Sequence, residues 1–252
     1  MPDKSCLKGS LDPTQLTDCI AYKAKYAKDH PTFFKPNGLM IFCGPQGSGK
    51  TISAVKYCRD LLKKYPRCKF VTNVEISGLS PELDITEYNG LDSLFNVSNG
   101  IEGVLYLIDE IHLEFNSLES RNISIEEMIE FSQQRKQRKH IVGTSQVYMR
   151  LAKPLREQIK DVVLCHNLFG LVQHNTLIDG EKSKEENGKF TGKVVKNYWW
   201  FHTPSLYSCY DTYAKMHRYK SEWNGKTRAL STVGDLHDLP SIRGARARDG
   251  GK

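Results

Sequence analysis

The chain has 252 residues, which is enough for one large α/β domain with additional segments. Its net charge of +7 and pI near 8.9 indicate an anionic partner, with nucleic acid as the first candidate, or else an ordinary basic protein. The seven cysteines are widely scattered without a Cys-x-x-Cys pair, which favours buried free thiols in a reducing compartment. Because the sequence has neither an apolar stretch of membrane-spanning length nor the apolar core of a signal peptide, we expect an intracellular protein without a membrane span.

Residues 1–37 are predicted to form a helical segment ahead of the main domain. Asp12 is a residue type that caps helices, and Pro13 suits the first helical position, so we expect a helix from here to about His30. The prolines that follow end this helix before the first strand. The helix is expected to pack on the flank of the domain.

A phosphate-binding loop is predicted directly after the first strand. Residues 44–51 fit the pattern of a glycine, four free positions, a glycine, a lysine and a hydroxyl residue: Gly44, Pro45, Gln46, Gly47, Ser48, Gly49, Lys50 and Thr51. The apolar run 39–43 predicts a strand before the loop and helical spacing predicts a helix after it, which argues against a chance glycine-rich loop. Backbone amides and the helix N-terminus would bind phosphate oxygens.

The side chains of this loop predict ATP and Mg²⁺ as ligands. Lys50 would reach the β- and γ-phosphates, and Thr51 would bind Mg²⁺. In the linker before the first strand, Phe33 or Phe34 is a further hypothesis for contact with adenine. After the loop helix, residues 69–74 predict a second strand, 78–89 a surface connection and 91–97 a short helix.

A second chemical element is the nearly continuous apolar run 103–108, which ends in Asp109 and Glu110. Such a run suits the centre of a parallel sheet, whose carboxyl end is where ligands bind. Asp109 could accept hydrogen bonds from Mg²⁺-bound waters or from Thr51, and Glu110 could orient and deprotonate the attacking water. The alternative is that two acids merely end a strand. The neighbouring His112 is left without a role.

A helix is predicted from Ser124 into the basic stretch 135–139, followed by a strand over residues 140–146. Gln146 ends that strand and is a candidate sensor of the γ-phosphate. Arg135 and Arg138 in this basic stretch are candidates for an arginine finger donated by a neighbouring subunit. The alternative is a solvated basic helix end that favours the helix dipole.

The remaining chain is predicted to extend the sheet. Residues 155–159 predict a short helix, 161–166 a buried strand, 169–178 and 192–201 a hairpin around a polar loop, and 205–216 a last helix. The aromatic residues 198–201 are expected in the core, with stacking on bases as the alternative. Residues 217–252 predict a basic flexible tail, in which Arg243, Arg246 and Arg248 are candidate DNA-binding residues.

The order of these motifs resembles a known class. A P-loop strand, one further strand, an acidic strand and an inserted strand ending in Gln146 are similar to the additional-strand, catalytic-glutamate P-loop ATPases, and among them to the FtsK/HerA group. Residues 134–156 and the hairpin that follows resemble viral genome-packaging ATPases and the related zonular-occludens-toxin-like assembly ATPases of filamentous phages. The resemblance covers residues 38–216. It implies an α/β RecA/FtsK-like fold, with a mainly parallel sheet flanked by helices and followed by a hairpin and a helix.

The resemblance also implies a function. Packaging ATPases form homo-oligomeric rings that hydrolyse ATP to move double-stranded DNA into a capsid, docked on a portal at the capsid vertex in the host cytoplasm. By this resemblance Lys50 and Thr51 match the phosphate and magnesium positions, Asp109 the metal-site acid, Glu110 the catalytic glutamate and Gln146 the sensor. Filamentous-phage assembly ATPases carry a membrane span that the sequence lacks, which favours the packaging interpretation.

Two other functions stay open. The first is an assembly or secretion ATPase that acts on protein or single-stranded DNA. The second is a small-molecule kinase, for which the sequence shows neither an acceptor pocket nor a lid. The basic composition and the arginine-rich tail favour DNA as the substrate.

Overall fold

The structure is a computed structural model that describes residues 12–113, 115, 137–186 and 189–210. The chain divides into two compact units, residues 1–210 and 211–252, and the described residues all belong to the first unit. The predicted helix from Ser124, the finger candidate Arg135 and the tail with its three arginines lie outside the described residues.

The described part of the chain forms strands, α-helices and short 3₁₀ helices. The strands are β1 (Gly38–Cys43), β2 (Lys69–Thr72), β3 (Ile85–Glu87), β4 (Val104–Ile108), β5 (Lys139–Ser145), β6 (Ile159–Leu168), β7 (Val172–Asp179), β8 (Lys184–Glu186), β9 (Lys189–Thr191) and β10 (Val194–Phe201). The α-helices are α1 (Pro13–Asp29), α2 (Lys50–Lys64), α3 (Leu91–Asn96), α4 (Lys153–Arg156) and α5 (Pro204–Tyr207). Short 3₁₀ helices span Gly100–Glu102, Ile111–Leu113 and Tyr148–Arg150.

An eight-stranded sheet in the order β10-β7-β6-β1-β5-β4-β2-β3 organises the domain. The six strands from β3 to β6 run parallel, whereas β7 and β10 are antiparallel. Strand β5 lies between the P-loop strand β1 and the acidic strand β4, as the predicted inserted strand should. The predicted α/β fold, with a mainly parallel sheet flanked by helices, is therefore confirmed.

The parallel register brings the ends of distant strands together. Cys43 at the end of β1 is paired with Ser145 at the end of β5, and Ile108 at the end of β4 is paired with Gly143. The segments that follow these strands therefore meet at one edge of the sheet. This carboxyl edge is where parallel α/β sheets bind ligands.

Both faces of the central strands are buried, which explains their continuous apolar sequences. On one face, Phe42 and Phe70 pack with the apolar side of α2. On the other face, Ile41 and Ile108 pack with Ile111 of the 3₁₀ helix that follows β4. Each such side chain contributes about 1.5–3 kcal/mol of burial free energy, so this double layer holds the carboxyl edge in place.

A buried histidine ties α2 to the sheet. His140 on β5 shares a hydrogen bond with the hydroxyl of Tyr57 on α2 at 3.0 Å, and its Nδ1 donates to the carbonyl of Gly38 at 3.0 Å. Burial lowers the pKa of His140 to about 4, against the smaller opposing effect of the Gly38 hydrogen bond. The imidazole is therefore neutral near pH 7, and its Nε2 accepts from Tyr57.

The N-terminal helix forms as predicted, although it does not pack as predicted. Asp12 caps it by accepting from the Thr14 amide at 2.9 Å. None of its residues is buried, and its apolar side chains Leu16, Ile20 and Tyr22 are exposed within the described part of the chain. The expected packing of this helix on the domain flank is therefore not seen.

The adenine hypothesis for the linker is wrong. Phe34 is buried against Tyr65 and lies directly over Gly103, which precedes β4. The Phe33 ring lies 3.7 Å from the guanidinium of Arg138, which precedes β5. Both phenylalanines therefore sit at the amino ends of the parallel strands, on the edge of the sheet opposite the P-loop.

Three further differences have simple causes. Strand β3 lies within the segment predicted to be a surface connection, because a three-residue edge strand carries no usable periodicity. The predicted hairpin is formed by β7 and β10, and the loop between them contains the small β8–β9 ribbon. On β10, Trp200 packs on the core while Trp199 and Phe201 are 59% and 74% exposed, so the core prediction holds for only part of this aromatic run.

Candidate functional site

The P-loop connects the end of β1 to the start of α2. A Cβ on Gly44 would lie 2.5 Å from Ser48 Oγ and 2.8 Å from the Cys165 carbonyl oxygen, so only glycine fits there. Gly49 caps α2 in the left-handed region at φ +78°, and a Cβ there would lie 2.1 Å from Gln173 Oε1. Residues of β6 and β7 thus pack closely against the loop at these two glycines, which leaves its backbone little freedom to adopt another shape.

The charges around this loop suit an anion. All residues of α2 are described, and its first turn carries no acidic side chain to compete for the helix N-terminus. Lys50, the first residue of α2, donates from Nζ to the Pro45 carbonyl at 2.9 Å, so its side chain spans the loop. The positive charge of the Lys50 ammonium and the partial positive charge of the helix N-terminus are therefore both close to the loop.

Asp109 is fixed by contacts from three other elements. Its Oδ1 accepts from Thr51 Oγ1 at 3.0 Å and from Thr144 Oγ1 at 2.6 Å. Its backbone amide donates to Asn73 Oδ1 at 2.8 Å, while Asn73 Nδ2 donates to its carbonyl at 3.1 Å. The predicted contact between Asp109 and Thr51 is therefore present, and it joins the acidic strand to the start of the P-loop helix.

Glu110 has an unusual backbone conformation. Its φ of +54° lies in the left-handed region, which costs a residue with a side chain roughly 1 kcal/mol or more. The Glu110 amide donates to Thr144 Oγ1 at 2.8 Å, and this contact helps to hold the strained turn. A single hydroxyl on β5 thus contacts both acidic residues.

The predicted sensor Gln146 lies just beyond the end of β5. It is half-buried, and its Oε1 is 3.5 Å from a guanidinium nitrogen of Arg150, which is a long contact. The β5 residue that touches the acidic pair is Thr144, two positions earlier. The role of Gln146 as a sensor stays a prediction.

Three site residues escaped prediction from the sequence. Asn73 and Thr144 occupy the ends of the two strands that flank β4, and the register of parallel strands is the signal that could have found them. Gln173 on β7 donates to the Ser48 carbonyl at 2.8 Å across 125 positions of sequence. No local pattern points to Gln173.

Arg138, the only one of the predicted arginines within the described residues, is not at this site. Arg138 precedes β5 at the opposite edge of the sheet, with its guanidinium over Phe33. Arg138 therefore does not lie at the nucleotide cleft of its own subunit, and its role as a finger donated by a neighbouring subunit stays a prediction. Arg135, Arg243, Arg246 and Arg248 lie outside the described residues, and their roles stay predictions.

The residues present fit a nucleotide with a hard divalent cation. Gly44 and Gly49 let the loop backbone pack where no side chain fits, and the hydroxyl of Thr51 beside the Asp109 carboxylate is an oxygen donor set. Among the described residues, no group of three or more His, Cys, Asp or Glu side chains could hold a metal ion. Mg²⁺ in P-loop sites needs no such group, because phosphate and water supply most of its ligands.

A phosphate loop at the end of β1 and two acids at the end of β4, with a strand inserted between them, define a P-loop NTPase of the additional-strand class. The sequence profile of the zonular occludens toxin (Zot) family matches residues 38–215 of this chain. The chain belongs to the Zot family. The resemblance predicted from the motifs is thereby confirmed at the level of the family.

Solved structures of similar fold include the N-terminal domain of zonular occludens toxin from Neisseria meningitidis, at 15% identity and a TM-score of 0.49, covering 70% of this chain and 100% of that chain. The genome packaging NTPase B204 from Sulfolobus turreted icosahedral virus 2 with ATP-gammaS is similar at 12% identity and a TM-score of 0.47, covering 64% and 98%. No curated protein sequence matches the chain. At these identities and scores, family membership follows from the sequence match alone.

In the part of the chain that the structure describes, none of the helices combines the length and the apolar character needed to cross a membrane.

Substituting Thr144 tests its contacts with both acids. We expect Thr144→Val to lower kcat for ATP hydrolysis about 10–100-fold with KM nearly unchanged, because hydrogen bonds to charged groups contribute about 1.5–3 kcal/mol. Steady-state ATPase kinetics would measure both constants. Thr144→Ser keeps the hydroxyl and should retain most of the activity, whereas a parental kcat for Thr144→Val would show that this hydroxyl does not organise the acids.

Proposed function

We propose that this protein hydrolyses ATP and uses the energy to move DNA. The observation that carries the hydrolytic part is the shared carboxylate of Asp109, which accepts from Thr51 of the P-loop helix and from Thr144 beside Glu110. These contacts bring the phosphate-binding loop and the two acids to one place at the carboxyl edge of the sheet.

Each residue has a distinct proposed role. The P-loop amides and Lys50 bind the phosphates, and Thr51 and Asp109 hold Mg²⁺, which when bound supplies charge neutralisation at the phosphate oxygens. The Thr51 hydroxyl can do this while it donates its hydrogen to Asp109, because its lone pairs remain available. Glu110 accepts a proton from the attacking water.

Double-stranded DNA is the first candidate for the substrate. The net charge of +7 and the arginines near the C-terminus favour a polyanion. In this proposal the subunits form a ring around the duplex and package a viral genome into a capsid, docked on a portal protein in the host cytoplasm.

A second candidate follows from the family. The matching profile is that of zonular occludens toxin, and the motif resemblance includes the assembly ATPases of filamentous phages. In this alternative the same ATPase acts on single-stranded DNA or on protein during assembly or secretion. Stimulation of ATP hydrolysis separates the two, because a packaging motor responds to duplex DNA and an assembly motor to single strands or to a protein partner.

Completion of the site by a neighbouring subunit is part of the proposal, with Arg135 as the first candidate for the arginine finger. Arg138 becomes a weaker candidate because its guanidinium is stacked on Phe33. Mixed rings of Arg135→Ala and Lys50→Ala subunits should regain ATPase activity that each variant lacks alone. Full activity of Arg135→Ala by itself would eliminate this residue.

Two substitutions separate binding from hydrolysis. Lys50→Ala should abolish productive ATP binding because it removes the charge that compensates the phosphates. Glu110→Gln should keep ATP binding and lower kcat by about 10²–10⁴-fold, because an amide cannot accept the proton. Nucleotide binding and phosphate release, measured on the same preparations, would check both. Parental turnover by Glu110→Gln would show that another group is the base.

Binding to duplex DNA should depend steeply on salt and little on sequence. If the protein neutralises about 6–10 phosphates, raising the salt from 50 to 200 mM should weaken binding by about 10³–10⁵-fold, because binding releases counterions from the DNA. Fluorescence anisotropy with duplexes of unrelated sequence would measure the affinity and its salt slope. If Arg243, Arg246 and Arg248 contact DNA, deleting residues 240–252 should weaken binding and flatten the slope, and an unchanged slope would exclude them.

A further inference from the structure

We propose that Gln173 is a positioning residue that sets the shape of the P-loop and thereby the affinity for the nucleotide phosphates. The proposal rests on the proposed function as an ATPase and names a residue outside the P-loop and acidic-pair motifs. Gln173 lies on β7, an antiparallel strand that is separated from the P-loop strand by β6.

The Gln173 amide is fully buried and uses both of its donor hydrogens. Its Nε2 donates to the Ser48 carbonyl at 2.8 Å and to Asn175 Oδ1 at 3.0 Å. Because a backbone carbonyl can only accept, the first contact fixes which end of the amide faces the loop. Its Oε1 then lies 3.2 Å from His202 Nε2 and against the position that a Cβ of Gly49 would occupy.

The contact between Gln173 and the Ser48 carbonyl determines the orientation of the Gly49 backbone amide. The carbonyl of Ser48 and the N–H of Gly49 belong to one planar trans peptide, so they point in opposite directions. Gln173 holds the carbonyl towards β7, and the Gly49 N–H therefore points away from β7. In a P-loop the inward-facing amides bind the phosphates, so the side chain acts on phosphate through the peptide.

A second layer holds Gln173 itself. Asn175 Nδ2 donates to the Tyr198 hydroxyl at 3.3 Å on β10, and His202 Nδ1 is hydrogen-bonded to the Tyr207 hydroxyl on α5. The Tyr207 hydroxyl also lies 2.6 Å from the Gly170 carbonyl in the β6–β7 turn, but its single hydrogen must go to His202 Nδ1 if the neutral imidazole is to donate from Nε2 to Gln173 Oε1. The antiparallel strands β7 and β10 therefore hold the side chain that contacts the loop.

The test compares two variants of Gln173 with a matched control on the same strand. Gln173→Glu keeps the size of the side chain but places a carboxylate oxygen against the Ser48 carbonyl, and Gln173→Met removes all its hydrogen bonds. Thr176→Val is the control, because the alternation of β7 places Thr176 on the opposite face of the sheet. ATP and ADP binding, KM and kcat would be measured for each full-length protein, with its melting temperature.

We expect both Gln173 variants to raise KM and the Kd for ATP and ADP about tenfold or more, because a buried acceptor loses its partner. The value of kcat at saturating ATP should change much less, since the loop grips the phosphates both before and during hydrolysis. Binding of adenosine should stay unchanged, because it has no phosphate to reach the loop. A general loss of structure would instead weaken the binding of ATP, ADP and adenosine together.

Two results would overturn the inference. The first is an ATP affinity of folded Gln173→Glu equal to that of Thr176→Val. The second is an equal loss for ATP and adenosine. Failure of the unaltered protein to bind ATP would overturn the proposed function together with this inference, whereas a normal parent with unaffected Gln173 variants would overturn this inference alone.

Discussion

The arrangement of the candidate site depends on the two hydrogen bonds that the Asp109 carboxylate accepts. This carboxylate follows the central strand β4 and accepts hydroxyl hydrogens from α2 on one side and from β5 on the other. An ionised carboxylate can only accept hydrogen bonds, so the two hydroxyl donors are enough to hold the Asp109 side chain in one orientation. The buried layers on both faces of the sheet keep these three elements in register, and the site is as rigid as the core beneath it.

Strand β5 has a specific role in this arrangement. Its insertion between β1 and β4 separates the phosphate loop from the acids by one strand spacing of about 4.8 Å on each side. The room this creates at the carboxyl edge is occupied by the Thr144 hydroxyl, which contacts Asp109 and the Glu110 amide. The extra strand therefore brings a polar group of its own to the site and does more than widen the sheet.

Prediction from the sequence succeeded where one segment contains its own signal. The P-loop, the acidic strand and the capped first helix each combine a local pattern with a chemical reason, and the inserted strand was expected from the resemblance to the additional-strand class. It failed for Asn73, Thr144 and Gln173, because these residues act through register or through distant strands. Phe34 shows the opposite error, since an aromatic residue close to the P-loop in sequence lies at the far edge of the sheet.

The long separation between Gln173 and Ser48 also bears on how the chain folds. The P-loop is synthesised before the strand that contacts it, since Gln173 on β7 follows Ser48 by 125 residues. Closing so large a loop is entropically costly, and contacts of this kind form late relative to local ones. A nascent chain in which β7 has not yet joined the sheet therefore lacks the contact between Gln173 and the Ser48 carbonyl.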